Sequence, residues 1–261
     1  MRCIVCNHVT NSWIYKEVIS DDLARSWKLS SSQTHKFNLR ESDLCPTCKN
    51  NFRVRSLAEG IMKVFPFEGI NCLQDWVKKA EEAQLKIAEI NTCGNLHKTL
   101  KKLSGLMYSE YYPDLSDSGK LLKLRRLLWR LRHNTIHQDI THLTYSDNIF
   151  DLVIHSETLE HIPDVDSAME ECYRVLKPSG WCLFTVPLIP TRKTIVCAKF
   201  ERNKYIKYLK SPSYHGTGKM SDYLVWHEFG GDFIQKYKLK IILSHLNAMT
   251  WVLGFRKTKN N

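Results

Sequence analysis

The run from His137 to Pro187 constrains the fold more than any other part of this 261-residue chain. Phe150-Asp151-Leu152-Val153-Ile154 is an apolar, partly β-branched run of the kind a buried parallel strand needs. Val165 to Leu176 then carries apolar residues at helical spacing. Lys177-Pro178-Ser179-Gly180 is expected to stop that helix before a new strand starts at Leu183-Phe184-Thr185-Val186. Strand, helix, stop and strand form one βαβ unit, and its ligand belongs at the carboxyl ends of the strands, where Ser156 and Pro187 lie.

The rest of the chain has ample length for a sizeable core. No apolar run approaches the roughly 20 residues of a membrane span. Met1-Arg2-Cys3-Ile4-Val5-Cys6 lacks the apolar stretch of a secretory signal, so a soluble, cytoplasmic protein is the expectation. Nine cysteines in that setting point to thiols and metal ligands rather than a disulfide framework. The formal charge of +11 favours an anionic partner, and RNA, a phosphorylated substrate and a lipid headgroup surface all satisfy it.

Cys3-Ile4-Val5-Cys6 and Cys45-Pro46-Thr47-Cys48 are two C-x-x-C pairs. Each can turn two sulfurs toward one tetrahedral ion, and four thiolates close the shell with no position left for water. Cys3, Cys6, Cys45 and Cys48 are therefore read as ligands of a structural zinc in a knuckle-like module over residues 1–52. Four unrelated thiols, or a dithiol redox pair, are the alternative. The segment between the pairs, with Ser30-Ser31-Ser32, reads as a loop or small ribbon, and His8 and His35 are reserve ligands. Helical patterns over 53–63 and 73–84 open the main domain, residues 53–261, with Arg53 and Arg55 as a solvated helix start.

Leu85 to Ile90 reads as the first strand of the main sheet, Leu106 to Glu110 as the second and Thr135 to Asp139 as the third. Glu110 lies about 20 residues beyond Glu89, the separation at which a carboxylate bonds ribose hydroxyls in nucleotide-binding βαβ folds. Gly94 is the single glycine in the loop after the first strand, where Asn91 and Asn95 tolerate left-handed backbone and Cys93 is small. Lys120 to Arg132 reads as an amphipathic helix with a basic face. That face is either simply solvated, a site for an anionic substrate, or a peripheral membrane contact.

Asp147 to Pro163, followed by Arg174-Val175-Leu176-Lys177-Pro178-Ser179-Gly180, resembles the central block of class I S-adenosylmethionine-dependent methyltransferases, with Ser179 where the turn usually has its first Gly. Thr194 to Phe200, Ser211 to Gly216 and Leu224 to Phe233 are similar to a bacterial subgroup with YHG and EFG segments and often an N-terminal Cys pair; Thr217 and Gly218 replace that subgroup's Asp-Pro. The resemblance implies an α/β fold, a Rossmann-like doubly wound sheet carrying the small N-terminal zinc-binding module. It implies S-adenosylmethionine held by Glu89, Asn91, Cys93, Gly94 and Asn95 at the amino-acid end and by Glu110 at the ribose. Asp139 and Ile140 would face the adenine, and His155 and Ser156 the sulfur end.

His161 is the first candidate for a catalytic base, with His215, Tyr214 and Glu228 behind it. The expected acceptor is a glycan, nucleotide-sugar or other small polar molecule. RNA is the alternative acceptor, and a cofactor-binding scaffold without catalysis is the alternative to an enzyme.

Overall fold

The computed structural model describes residues 1–111, 136–201, 205–215 and 223–258. The basic segment Lys120 to Arg132 lies outside the described residues. In chain order the elements are α1 (Asp21–Ser26), α2 (Ser31–Ser42), α3 (Phe52–Val64), α4 (Leu73–Glu82), β1 (Ile87–Ile90), α5 (His97–Leu100), β2 (Leu106–Glu110), β3 (Ile136–His137) and β4 (Phe150–Ser156). They continue with α6 (Val165–Val175), β5 (Leu176–Thr185), β6 (Leu188–Ile189), β7 (Ile195–Val196), β8 (Ala198–Phe200), β9 (Ile206–Tyr208), β10 (Tyr214–His215), β11 (Tyr223–Leu224), β12 (His227–Gly230), α7 (Asp232–Lys236), β13 (Lys240–His245) and β14 (Thr250–Arg256).

Seven strands make one sheet in the order β13-β14-β5-β4-β1-β2-β3. The pairs from β5 to β3 are parallel, while β14 runs antiparallel to both β5 and β13. The chain order turns back between β1 and β4, so a topological switch point lies there and ligand space opens at the carboxyl ends of both strands. This is a Rossmann-like α/β fold with a mostly parallel central sheet.

Side-chain alternation along the strands divides the core in two. Leu152 and Ile154 join Ile87, Leu57, Trp76 and Val252 on the face covered by α3 and α4. Val153 joins Ala88, Phe184, Ala168 and Cys172 on the face covered by α6. Gly60 lets α3 lie close on the sheet, since a Cβ there would stand 2.7 Å from the side chain of Val252. The N-terminal segment reaches both layers: Cys3, Val5 and Cys45 belong to the first cluster, Trp27 and Phe37 to the second.

Two expectations are corrected. The segment between the Cys pairs is helical rather than a loop or ribbon, because Ser30 caps α2 in a reciprocal capping box with Gln33, a helix-start signal within what reads as a polar run. Lys177 to Gly180 does not separate helix from strand either, since β5 begins at Leu176, directly off α6. The Ser179 N–H donates to the Lys257 carbonyl and the Lys257 N–H to the Gly180 carbonyl, each at 2.9 Å, so the residue after β14 supplies partners for this stretch.

Candidate active site

β1 ends in a loop folded around a buried carboxylate. Glu89 is fully buried and accepts from the Cys93 N–H at 3.0 Å, and one of its oxygens lies 2.6 Å from His97 Nδ1. Asn91 and Gly94 both take left-handed backbone, with φ of 58° and 60°, so an asparagine performs one of the turns that glycines would otherwise make. The Asn95 side-chain amide donates to the Lys49 carbonyl at 3.1 Å, tying this loop to the second Cys knuckle. At the end of β2, Glu110 accepts from the Thr92 N–H at 3.1 Å and from the Tyr108 hydroxyl at 2.5 Å, and also bonds the Thr92 hydroxyl. Asp139 accepts from the Thr141 N–H and hydroxyl, both at 2.8 Å, closing a tight turn beyond β3, while Ile140 is buried in the core.

His155 is placed differently from the cleft position implied by resemblance. Alternation in β4 sends its side chain to the α6 face, where it is fully buried, stacks on Phe184 at 4.7 Å and stands with Cys172 and Cys182. Ser156 faces the other way, bonded to the Arg53 guanidinium and within 2.7 Å of the Thr185 hydroxyl.

Beyond Ser156 the chain enters a charged cluster that sequence reasoning assembled only in part. Arg40 of α2 is buried and reaches both oxygens of Glu157, at 2.5 and 2.9 Å. Arg53 of α3 donates through Nε to Glu41 at 2.9 Å. Arg55 pairs with Asp43 at 2.7 Å. The expectation of a solvated helix start at Arg53 and Arg55 is therefore wrong: both guanidinium groups are turned inward, where acidic partners compensate them. Burial pushes the Glu41 carboxyl up, but Arg53 and Arg40 overcome it and hold it at about 2. Glu157 itself has φ of 53°, an uncommon backbone for a residue that is not glycine.

Glu160 and His161 lie on the short 3-10 turn Leu159–His161 that follows β4. His161 Nδ1 is 2.9 Å from the Leu224 carbonyl, which fixes that nitrogen as the donor and leaves Nε2 as the lone-pair nitrogen, 3.7 Å from Glu160. β10 brings His215 into the same cluster, with its ring edge-to-face on His161 at 5.0 Å and resting on Trp27 at 5.3 Å. Burial lowers the pKa of His161, and burial together with neighbouring His161 takes His215 down to about 4. Burial pushes the Glu160 carboxyl the other way, well above its ordinary value, with the neighbouring charge of Glu157 adding to the effect. The two histidines named from the sequence thus stand together, whereas Tyr214 is half-exposed on the surface and Glu228 is paired with Lys210.

The N-terminal cysteines also come together. Cys3 and Cys48 sulfurs are 3.7 Å apart, as are those of Cys6 and Cys45, and all four lie within 4.8 Å of one another. Tetrahedral zinc at about 2.3 Å from each sulfur requires edges of about 3.8 Å, so the four residues fit that ion. The knuckles share one design. Cys3 and Cys45 carbonyls accept from the N–H groups of Asn7 and Lys49, both left-handed, and the Cys3 and Cys45 N–H groups donate to His8 and Asn50 carbonyls. The contact between the Cys3 and Cys48 sulfurs lowers the pKa of Cys48 and raises that of Cys3, so the two share one proton.

Two surface cavities lie away from the strand ends. One of about 240 Å³ is bordered by Pro163, Asp166 and Tyr237, and one of about 430 Å³ by Glu17, Arg25 and His35. Neither touches the residues above, so the strand-end chemistry and not cavity size locates the site.

Residues 93–184 match the methyltransferase domain family. The chain is similar to a demethylmenaquinone methyltransferase of Lactobacillus johnsonii, 29% identical over 53% of this chain and 54% of that protein. It is also similar to a demethylmenaquinone methyltransferase of Staphylococcus epidermidis, 41% identical over 25% of this chain and 29% of that protein. A ubiquinone biosynthesis O-methyltransferase of Thiobacillus denitrificans is 30% identical over 46% of this chain and 53% of that protein. The chain thus spans about half the length, or less, of these curated relatives. The family match and these relatives support a class I S-adenosylmethionine-dependent methyltransferase domain on the Rossmann-like sheet.

Proposed function

We propose that this chain methylates a small aromatic acceptor of the quinol or phenol class with S-adenosylmethionine, and that zinc at Cys3, Cys6, Cys45 and Cys48 holds its N-terminal segment. One observation carries the reading: groups suited to a nucleotide-like cofactor and groups suited to an acceptor's proton meet at one edge of the sheet. Glu89, Glu110 and Asp139 stand at or just beyond the ends of β1, β2 and β3. Ser156, His161 and His215 gather at and beyond the end of β4.

When bound, the sulfonium cofactor supplies an electrophilic methyl group. In this reading Glu110 accepts from ribose hydroxyls, and Asp139 and Ile140 border the adenine. The loop from Asn91 through Cys93 and Gly94 to Asn95, held open by Glu89, receives the amino-acid end. Proximity and alignment of acceptor and methyl group supply most of the rate. His161, neutral at pH 7 and with Nε2 unprotonated, draws the proton from an acceptor hydroxyl, and His215 serves the same polar pocket.

The relatives' names supply the acceptor class, and the site supports it. The Tyr223 ring lies 5.7 Å from His161, offering an aromatic face beside the base. A small acceptor is preferred here to the RNA alternative, and an aromatic one to a glycan or nucleotide-sugar. The test is turnover with radiolabelled S-adenosylmethionine against short-chain quinols, catechols, nucleotide-sugars and ribosomal RNA. Label appearing in quinols or catechols supports the reading. Label appearing only in a sugar or in RNA rejects the acceptor class, and no label in any of them, despite cofactor binding, favours the scaffold alternative.

A further inference from the structure

We propose that Glu160, His161 and His215 bind a divalent transition-metal ion at the acceptor side of the cleft, separate from the four-cysteine site. Its binding does not rest on the reading above; its part in methyl transfer does, and a bound ion would take the His161 Nε2 lone pair assigned there to the base and would itself lower the pKa of an acceptor hydroxyl. Each of the three residues offers one ligand atom, and the three atoms lie within 4.8 Å of one another. Glu160 Oε1 is 3.7 Å from His161 Nε2 and 3.9 Å from His215 Nδ1. These separations are too long for hydrogen bonds. Metal bonds of about 2.0–2.2 Å to nitrogen and oxygen would close them with shifts of a few tenths of an ångström.

Glu160 is 1% exposed, and neither of its carboxylate oxygens has a hydrogen-bond partner among the described residues. Burial favours the protonated carboxyl unless a cation stands beside it, and a bound ion would displace that proton. The neighbouring guanidinium groups are already committed, Arg40 to Glu157 and Arg53 to Glu41, so two positive charges meet two negative ones and none remains for Glu160. A divalent ion supplies the missing charge.

The imidazoles are arranged as ligands of such an ion. The Leu224 carbonyl engages His161 Nδ1 and thereby aims the Nε2 lone pair at Glu160, the outer hydrogen bond that metal-bound histidines almost always make. Leu224 belongs to β11, the partner of β10, which carries His215, so one antiparallel pair delivers both a ligand and the group that orients another. The side chains of His161 and His215 are 12% and 23% exposed, leaving the cluster open on one side to a water or an acceptor oxygen. Two imidazoles and a carboxylate suit zinc, iron, cobalt or manganese rather than calcium.

The experiment titrates Co2+ into the full-length chain with its four-cysteine site already loaded with zinc. One further equivalent is expected, giving weak visible d–d bands without thiolate charge-transfer absorption. Glu160→Gln and His215→Asn should each weaken that uptake by at least about 100-fold. Glu160→Gln keeps size and removes the group that can become an anionic ligand, and an unchanged circular dichroism spectrum shows that it folds. Absence of the extra equivalent overturns the proposal, as does uptake equal in both variants and the parent, or bands of thiolate coordination alone. Methyl transfer by a chain that takes up no Co2+ overturns the metal site and leaves the methyltransferase reading standing; Co2+ uptake without any methyl transfer does the reverse.

Discussion

Two of the clusters that could hold metal, the four cysteines and the Glu160, His161 and His215 group, differ in ligand and in setting. The four-cysteine cluster is all sulfur, with two of its sulfur pairs 3.7 Å apart and its backbone folded into two matching knuckles. Four thiolates around one ion would leave no vacancy, so the work proposed for this cluster is structural. The Glu160, His161 and His215 cluster mixes carboxylate and imidazole, stands at the end of a parallel strand and leaves histidine edges open. Closure belongs with architecture and openness with chemistry. The two are mechanically joined, because the second knuckle's Lys49 carbonyl holds Asn95 of the loop after β1, proposed to receive the cofactor, and α2, between the knuckles, sends Arg40 to Glu157.

The largest effect is expected from removing the zinc proposed for the four cysteines. Structural zinc in small modules is worth about 10–16 kcal/mol of apparent binding energy. Cys45→Ser or exhaustive chelation should therefore unfold the N-terminal segment and cost S-adenosylmethionine affinity through the Asn95 link, read by thermal melting and calorimetry together. An unchanged melt in chelator removes zinc from the account. Next comes Arg40→Met, which leaves Glu157 without its buried partner and should destabilise the fold by about 3–5 kcal/mol in denaturant titration.

Acid tests the same charge network. The Glu41 carboxyl is held at about 2 in the fold, below its ordinary 4.5, so its contribution is fully present above pH 4.5 and is lost as pH falls toward 2. The loss should reach a few kcal/mol at most, since the side chain is partly open to water. Glu41→Gln should flatten that part of the stability profile. For the cofactor side, Glu110→Ala should weaken S-adenosylmethionine binding about tenfold, near 1.4 kcal/mol, whereas Glu160→Gln should leave cofactor affinity alone and lower turnover. The smallest effect is expected at Ser179, whose φ of 70° is better suited to glycine: Ser179→Gly should stabilise by up to about 1 kcal/mol.

Much of the sheet is legible in the sequence because its strands are short apolar runs bounded by turns. β2 falls on Leu106–Glu110 and β4 ends at Ser156, as expected from the residues. Parts of the resembling motif turn out to be architectural. Arg174 binds Glu171, Asp147 and the Leu143 and Tyr145 carbonyls, and Lys177 pairs with Asp151.

Strand alternation was available as a guide that His155 and Ser156 face opposite layers, so only one of them could line the cleft. Arg40 was hidden in a segment read as loop, although Ser30 and Gln33 announce the helix that carries it. Arg40 and Glu157 are 117 residues apart, and no periodicity links such a pair. The same distance in sequence hides the meeting of His161 with His215, which depends on β10 and β11 folding back over the strand ends.

The carboxyl ends of β1 to β4 are proposed here as the cofactor site. Isothermal titration of the zinc-loaded full chain with S-adenosylmethionine tests it most directly. One site per chain is expected, weakened about tenfold by Glu110→Ala and unchanged by Glu160→Gln. A flat titration with both S-adenosylmethionine and S-adenosylhomocysteine, from protein shown to be folded, would contradict it.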